Sequence, residues 1–302
     1  MDADDRATPG GLHERLTHRG LREQLGTALF ERVAGPDGPA KRRRIHGTPG
    51  PRWFPPDAAI RAVHGDASMF VGGLAALLVQ SLHPSAMAAV AAHSGYRSDP
   101  WGRLQRTSTF LAVTTFGTAP DAQAAVDRVR AVHHRIRGTT AAGLPYRADD
   151  PHLLAWVHAA EAHSFLRAHE VYGAAPLDPA GYDAYVADMA VVAAALGVED
   201  PPRDRAGLDA VLRSYRPELA RTDEAREAAR FLLLHPPLPW PVRPAYGALA
   251  AAAVHLLEPE HRALLGLPTV PLLECAFRPL GTAVVRSIRW ALPAPPEPRT
   301  AS

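Results

Sequence analysis

The segment PDAQAAVDRVRAVHHRIRG, residues 120–138, predicts one amphipathic α-helix. It begins with a proline, which is tolerated in the first turn of a helix, and ends with a glycine, which commonly follows the last turn. Successive helical residues are rotated by about 100°. One side of this helix therefore collects apolar residues, namely Ala125, Val126, Val129, Val132 and Ile136.

Similar starts at proline, followed by apolar runs longer than ten residues, recur along the chain and favour helices over strands. We predict helices at residues 64–82, 84–95, 101–117, 120–137, 151–172, 179–196, 205–214, 222–234 and 243–256. The predicted fold is all-α, with a single helical domain over residues 59–290. Residues 1–58 mix charges with glycine and proline, which predicts a short helix and an extended arm. The proline-rich tail, residues 291–302, is expected to be disordered.

Composition excludes several classes of function. The 302 residues carry a net charge of +2, which gives no general electrostatic basis for binding nucleic acid. The longest apolar stretch, residues 67–82, is too short for a membrane span. The first residues, MDADDRATPGG, lack the pattern of a secretory signal, so we expect a cytoplasmic protein. One cysteine against fifteen histidines makes imidazole the expected ligand of any bound metal.

The two adjacent histidines of the opening segment are not equivalent. Helical spacing places His133 on the apolar side, whereas His134 turns towards solvent. Arg130 and Arg137 flank His133 at the edge of the same face. One interpretation is a hydrogen-bonded core histidine beside two surface arginines. The alternative is that His133 is the axial ligand of a haem iron and the arginines pair with the haem propionates.

The preceding predicted helix carries a second polar group. Arg103, Arg106 and Thr107 fall on one side by their i, i+3, i+4 spacing. These residues are either exposed side chains of a first helical turn or hydrogen-bond donors of a distal pocket above a cofactor.

Several spaced motifs occur together over residues 61–173. They are GD at 65–66, HP at 83–84, HS at 93–94, RLQRT at 103–107, HHRIRG at 133–138 and YRADDPHLLAWVHA at 146–159. In order and spacing this segment resembles the catalytic domain shared by the rubber oxygenases and the MpaB-type oxygenases. The resemblance implies a globin-like helical core carrying haem b, with His133 as the proximal iron ligand. It further implies that Arg130 and Arg137 contact the propionates, and that Arg103, Arg106 and Thr107 lie on the distal side.

The chain departs from the rubber oxygenases at two positions. Arg106 stands where they have a lysine, and Met87 stands where they have a glutamate proposed as a base. Because guanidinium and ammonium groups differ in reach and proton affinity, the distal lysine chemistry is not implied here. Rubber cleavage is not implied either. His158, in the last of the motifs, is either a hydrogen-bonded core histidine or a residue packed below the haem.

The sequence thus predicts a haem-b-dependent oxygenase or oxidase. Its substrates would be a small, largely apolar intracellular metabolite and dioxygen or peroxide. Two alternatives stay open: a globin-like haem sensor or oxygen-binding protein without turnover, and a helical scaffold without a cofactor. Motifs of nucleotide-dependent enzymes and zinc peptidases are absent from the sequence. The oligomeric state is left open.

Overall fold

Fourteen α-helices and one two-stranded sheet make up the part of the chain that the computed structural model describes, residues 9–267 and 271–292. The helices are α1 (Pro9–Ala34), α2 (Gly38–Gly47), α3 (Ala59–His64), α4 (Met69–Gln80), α5 (Pro84–His93), α6 (Pro100–Phe116), α7 (Ala119–His133), α8 (Pro151–Tyr172), α9 (Pro179–Leu196), α10 (Arg205–Tyr215), α11 (Asp223–Leu234), α12 (Arg243–Leu256), α13 (Pro259–Leu265) and α14 (Pro271–Ala291). The antiparallel strands β1 (Arg137–Thr139) and β2 (Pro145–Arg147) lie between α7 and α8. Short 3-10 helices occupy Arg216–Glu218 and Trp240–Val242. The predicted all-α, single-domain fold is confirmed.

Helix starts follow from local capping. The carboxylates of Asp99, Asp150 and Asp178 each accept a hydrogen bond from a backbone N–H in the first turn of the helix that they precede. Such a cap satisfies a donor that has no partner within the helix. In each case a proline follows the cap, as the sequence predicted, and the bounds of α8 and α9 coincide with the prediction.

The core is centred on the antiparallel pair α4 and α8. At Gly72 the helices approach so closely that a Cβ atom would lie 2.8 Å from Cδ1 of Phe165. Further along, the indole Nε1 of the fully buried Trp156 donates to the carbonyl of Gln80 at 3.3 Å. Apolar side chains of α12 and α14 cover the same cluster. This pair therefore sets the positions of the shorter elements at both of its ends.

The helix predicted at 64–82 covers only residues 69–80 as α4, and the preceding α3 was not predicted. α3 ends at His64, and residues 65–68 form a turn in which Asp66 accepts from the Ser68 backbone N–H at 2.7 Å. The same carboxylate accepts hydrogen bonds from Arg289 of α14, from Nε at 3.1 Å and from Nη2 to both of its oxygens at 2.9 Å. The turn is thus stabilised by a residue more than two hundred positions away.

Three other predictions about secondary structure need correction. The described part of this region, residues 9–58, contains two helices, α1 and α2, instead of one short helix and an extended arm, because α1 packs along α6. α7 ends at His133 and not at residue 137, since the next residues enter the β-hairpin. α13 and α14 were not predicted. The tail predicted to be disordered, residues 291–302, begins with the last residue of α14, Ala291, and residues 293–302 lie outside the described residues.

Within the described residues, none of the helices alone has both the length and the apolar composition needed to cross a bilayer. By those two criteria one sharply bent pair, α4 with α5 at 108°, qualifies jointly.

We expect Asp66→Asn to lower the free energy of unfolding by roughly 2–3 kcal/mol, because it leaves the partly buried Arg289 without its carboxylate. Burial alone would raise the pKa of Asp66, but hydrogen bonds from Arg289 and Ser68 outweigh it and lower the pKa. The stabilisation is therefore present above the unfolded pKa and lost as the pH falls. Urea denaturation measures both effects.

Glu227→Gln provides the control, since it breaks an ion pair with Arg97 in which both side chains are more than half exposed. It should change stability little. Equal losses in the two variants would contradict a special role for Asp66.

Candidate functional site

The two adjacent histidines lie at the end of α7. His133 is the last helical residue, and His134 follows as the C-terminal cap. The His134 side chain is 71% exposed, and its Nδ1 lies 2.9 Å from Oδ2 of Asp149. The His133 ring is half-buried, and its Nδ1 is buried without a hydrogen-bond partner in the described part of the chain. This is the orientation that helical spacing predicts.

Burial lowers the pKa of His133, and the nearby carboxylate of Asp149 opposes this shift only in part. The ring is therefore neutral near pH 7, which is the state that binds a metal ion. A buried imidazole nitrogen without a partner costs about 1–3 kcal/mol. A ligand that orders the ring would account for that cost, so His133 is a candidate metal ligand.

Apolar surface accompanies His133, though not as predicted. Val126 is buried, but Val132, predicted to face inward, is 42% exposed. Leu104 of α6 and Leu144 of the β-hairpin are also exposed. Apolar side chains of α6, α7 and the hairpin thus remain accessible to solvent.

Arg130 and Arg137 do not share a helical face, in contrast to the sequence prediction. Nη1 of Arg130 donates to the carbonyl of Ala195, near the C-terminus of α9, at 3.2 Å. Arg137 lies in β1, opposite Arg147 of β2, and is exposed. The helix ends before residue 137 because the hairpin needs the extended backbone of residues 137–139. Gly138 permits this, since a Cβ there would lie 2.4 Å from the Tyr146 hydroxyl oxygen.

The polar side chains of α6 separate into two environments. Arg103 is half-buried, and its Nη1 donates to Oγ of Ser94 at 2.8 Å. Arg106 is exposed and forms an ion pair with the helix-capping Asp99 at 3.2 Å. Thr107 is exposed as well. Burial lowers the pKa of Arg103, yet an arginine stays charged in proteins, so α6 presents two cations one turn apart.

His158 lies in the middle of α8 and is 7% exposed. Its Nε2 is buried without a hydrogen-bond partner among the described residues. Burial lowers its pKa to about 4, which keeps the ring neutral. The interpretation of His158 as a hydrogen-bonded core histidine is thus not supported at Nε2.

A buried polar cluster around His64 was missed in the sequence. His64 of α3 pairs through Nδ1 with Oγ1 of Thr115 at 2.8 Å, and the Tyr185 hydroxyl lies 3.4 Å from its Nε2. Burial lowers the pKa of His64 to about 3. Burial raises the pKa of Glu161 to about 7. Burial also raises the pKa of Tyr185, and the nearby Glu161 adds to that shift. The position of His64 directly before the GD motif was the available signal.

Comparisons with known proteins match the part of the chain that contains the candidate site. The family model for the catalytic domain of ER-bound oxygenase mpaB/B′ and rubber oxygenase matches residues 61–290. The chain is also similar to Uncharacterized protein Rv2237 of Mycobacterium tuberculosis and Uncharacterized protein Mb2261 of Mycobacterium bovis. Each is 33% identical over 172 residues, which is 56% of this chain and 67% of the relative. No solved structure matches the chain.

Glu161 makes stability depend on pH. Its folded pKa of about 7 exceeds the ordinary value of 4.5, so stability should fall as the pH rises through that interval. Across this interval the free energy of unfolding of the wild type should fall by about 2 kcal/mol, a value discounted for the partial access of water to this side chain. Glu161→Gln should abolish this fall. Urea denaturation across the interval measures the difference.

Glu199→Gln, at an exposed position, is the matched control and should keep the wild-type dependence on pH. A wild-type slope in Glu161→Gln would show that this carboxyl titrates as if it were in water.

Proposed function

Because the chain belongs to the family of the mpaB/B′ and rubber oxygenase catalytic domains, we propose that it is a haem-b-dependent oxygenase or oxidase with a histidine-ligated iron. Its substrates would be dioxygen or peroxide and a small, largely apolar metabolite. The single cysteine is typical of proteins from a reducing compartment, which favours a cytoplasmic substrate. The globin-like form of the haem core belongs to this proposal.

The buried Nδ1 of His133, which lacks a partner among the described residues, carries the proposal. A neutral imidazole at a helix end, next in sequence to the accessible apolar Val132, fits a residue that would hold a haem iron. The second buried nitrogen without a partner, on His158, fits packing against the same group from α8. Both observations concern side chains of this chain and are independent of the family comparison.

When bound, haem would supply the activation of oxygen, while the protein orients the substrate and tunes the iron. His133 would hold the iron. Arg130 and Arg137 would pair with the propionates, and both are exposed and able to reorient. Arg130 would then exchange its hydrogen bond to the Ala195 carbonyl for a charged acceptor, which gives a stronger interaction.

On the distal side, Arg103, Arg106 and Thr107 would donate hydrogen bonds to an oxygen atom of the bound ligand or substrate. The arginines would act as fixed positive charges and not as proton donors, because a guanidinium keeps its proton. Arg103 is oriented by Ser94, whereas Arg106 would have to leave Asp99 before it could act.

We expect apoprotein reconstituted with hemin to show an intense Soret band, and His133→Ala to lose most of it. His134→Ala should retain the band, because this ring faces solvent and pairs with Asp149. Added imidazole should partly restore the His133→Ala spectrum by occupying the vacated ligand position. The haem should also be extracted by acidified acetone, since the sequence has no Cys-x-x-Cys-His attachment motif.

Loss of haem from His134→Ala with retention in His133→Ala would contradict the ligand assignment. A wild-type protein without a Soret band would overturn the haem proposal. Haem binding without oxygen uptake, tested with reductant and candidate substrates, would favour a sensor or oxygen-binding protein.

The distal assignment predicts that Arg106→Ala and Thr107→Ala keep the wild-type haem content but bind azide less tightly. Loss of a hydrogen bond to a charged ligand should weaken azide binding roughly tenfold. Oxygen uptake should fall in parallel. Spectroscopic titration of the ferric protein with azide gives the affinity.

Gln105→Ala is the control on the same helix, since its side chain reaches the Arg32 carbonyl of α1 and should not affect the ligand. Loss of haem from both test variants would assign Arg106 and Thr107 to structure instead.

A further inference from the structure

A second group of histidines lies where three elements converge, and none of its residues belongs to the proposed haem site. His83 precedes α5, His152 lies in the first turn of α8, and Glu218 ends a 3-10 helix after α10. One ligand atom from each residue lies within 4.8 Å of those of the other two. The site thus combines residues that are far apart in the sequence.

The carboxylate of Glu218 lies between the two rings. Nε2 of His152 is 2.9 Å from both of its oxygens, and Nε2 of His83 is 3.3 Å from Oε2. In a tetrahedral shell with ligand bonds of about 2.05 Å, neighbouring ligand atoms are about 3.3 Å apart. Both histidines therefore lie at nearly that spacing from the carboxylate, and the two rings have ligand atoms within 4.8 Å of each other.

The hydrogen bonds of Tyr215 determine which ring nitrogen of His152 carries a proton. The Tyr215 hydroxyl donates its proton to the His152 carbonyl at 2.6 Å, and its oxygen lies 3.2 Å from Nδ1 of the same ring. Because its proton is committed, this oxygen accepts from an Nδ1–H. With its proton on Nδ1, the ring faces Glu218 with Nε2, and either a second proton or a metal ion on Nε2 makes this contact favourable.

The frame around these ligands is rigid on one side and open on the other. The His83 side chain is 8% exposed and packs against the rings of Trp156 and Tyr215, each with its centroid 6.2 Å away. The side chains of His152 and Glu218 are 58% and 41% exposed. A cation held here would keep coordination positions open to water.

We propose that His83, His152 and Glu218 bind one divalent transition-metal ion, of the kind for which Zn²⁺ is the probe. Two imidazoles and one carboxylate form a donor set used for zinc, and the Tyr215 hydrogen bond orients His152 as outer partners orient metal ligands. The ion joins the turn after α4, the start of α8 and the segment after α10.

Calorimetric titration of the full chain, without an affinity tag, with ZnCl₂ tests this proposal. We expect one ion per chain, a drop in affinity of more than tenfold in Glu218→Gln and in His152→Gln, and about tenfold in Tyr215→Phe. Glu218 and His152 are accessible, so these variants should fold, and circular dichroism checks this. Zn²⁺ should also raise the urea midpoint of wild type but not of Glu218→Gln.

Two variants provide matched controls. His134→Gln removes an exposed histidine beside the carboxylate of Asp149, and Glu260→Gln removes an exposed carboxylate paired with Arg216. Both should keep the wild-type affinity for zinc. Equal binding by wild type and Glu218→Gln, or an equal loss in His134→Gln, would overturn the proposal and leave a His–Glu–His hydrogen-bond network without a metal.

Discussion

The close antiparallel approach of α4 and α8 fixes the positions of His83, His152 and His158. Gly72 brings the helices together, since any Cβ there would collide with Phe165. Because the helices run in opposite directions, the chain leaves α4 beside the start of α8, and His83 meets His152. The same register holds the middle of α8 in the core, where His158 is enclosed. A wider spacing of this pair would alter the surroundings of all three histidines.

Helices could be predicted from the sequence where nearby capping residues determine their ends. The bounds of α8 and α9 follow from an aspartate cap, a proline in the first turn and a glycine after the last turn. The break after α3 could not be predicted in this way, because Asp66 is stabilised there by Arg289 of α14. α1 likewise depends on a distant element: the Ser108 hydroxyl of α6 donates to the Val33 carbonyl, and Arg32 stacks over Trp101. Sequence periodicity carries no information about such contacts.

In the candidate site too, features set by local sequence were predicted and features set by distant contacts were not. The opposite orientations of His133 and His134 are local consequences of helical rotation and were predicted. The placement of Arg137 was not, since it depends on where α7 gives way to the hairpin and thus on the packing of Tyr146 over Gly138. His64 was missed because its partners come from α6 and α9, and helical spacing along one segment cannot reveal them.

The charges around the histidines distinguish the ligands that each region would accept. His133 and His158 have buried nitrogens without partners in the described part of the chain, and burial keeps both rings neutral. A haem brings its own anionic propionates, so its site needs nearby cations such as Arg130 more than it needs carboxylates. A bare divalent cation has the opposite requirement, because a carboxylate offsets charge that neutral imidazoles leave uncompensated. Glu218 supplies that negative charge between His83 and His152, where a propionate would be repelled.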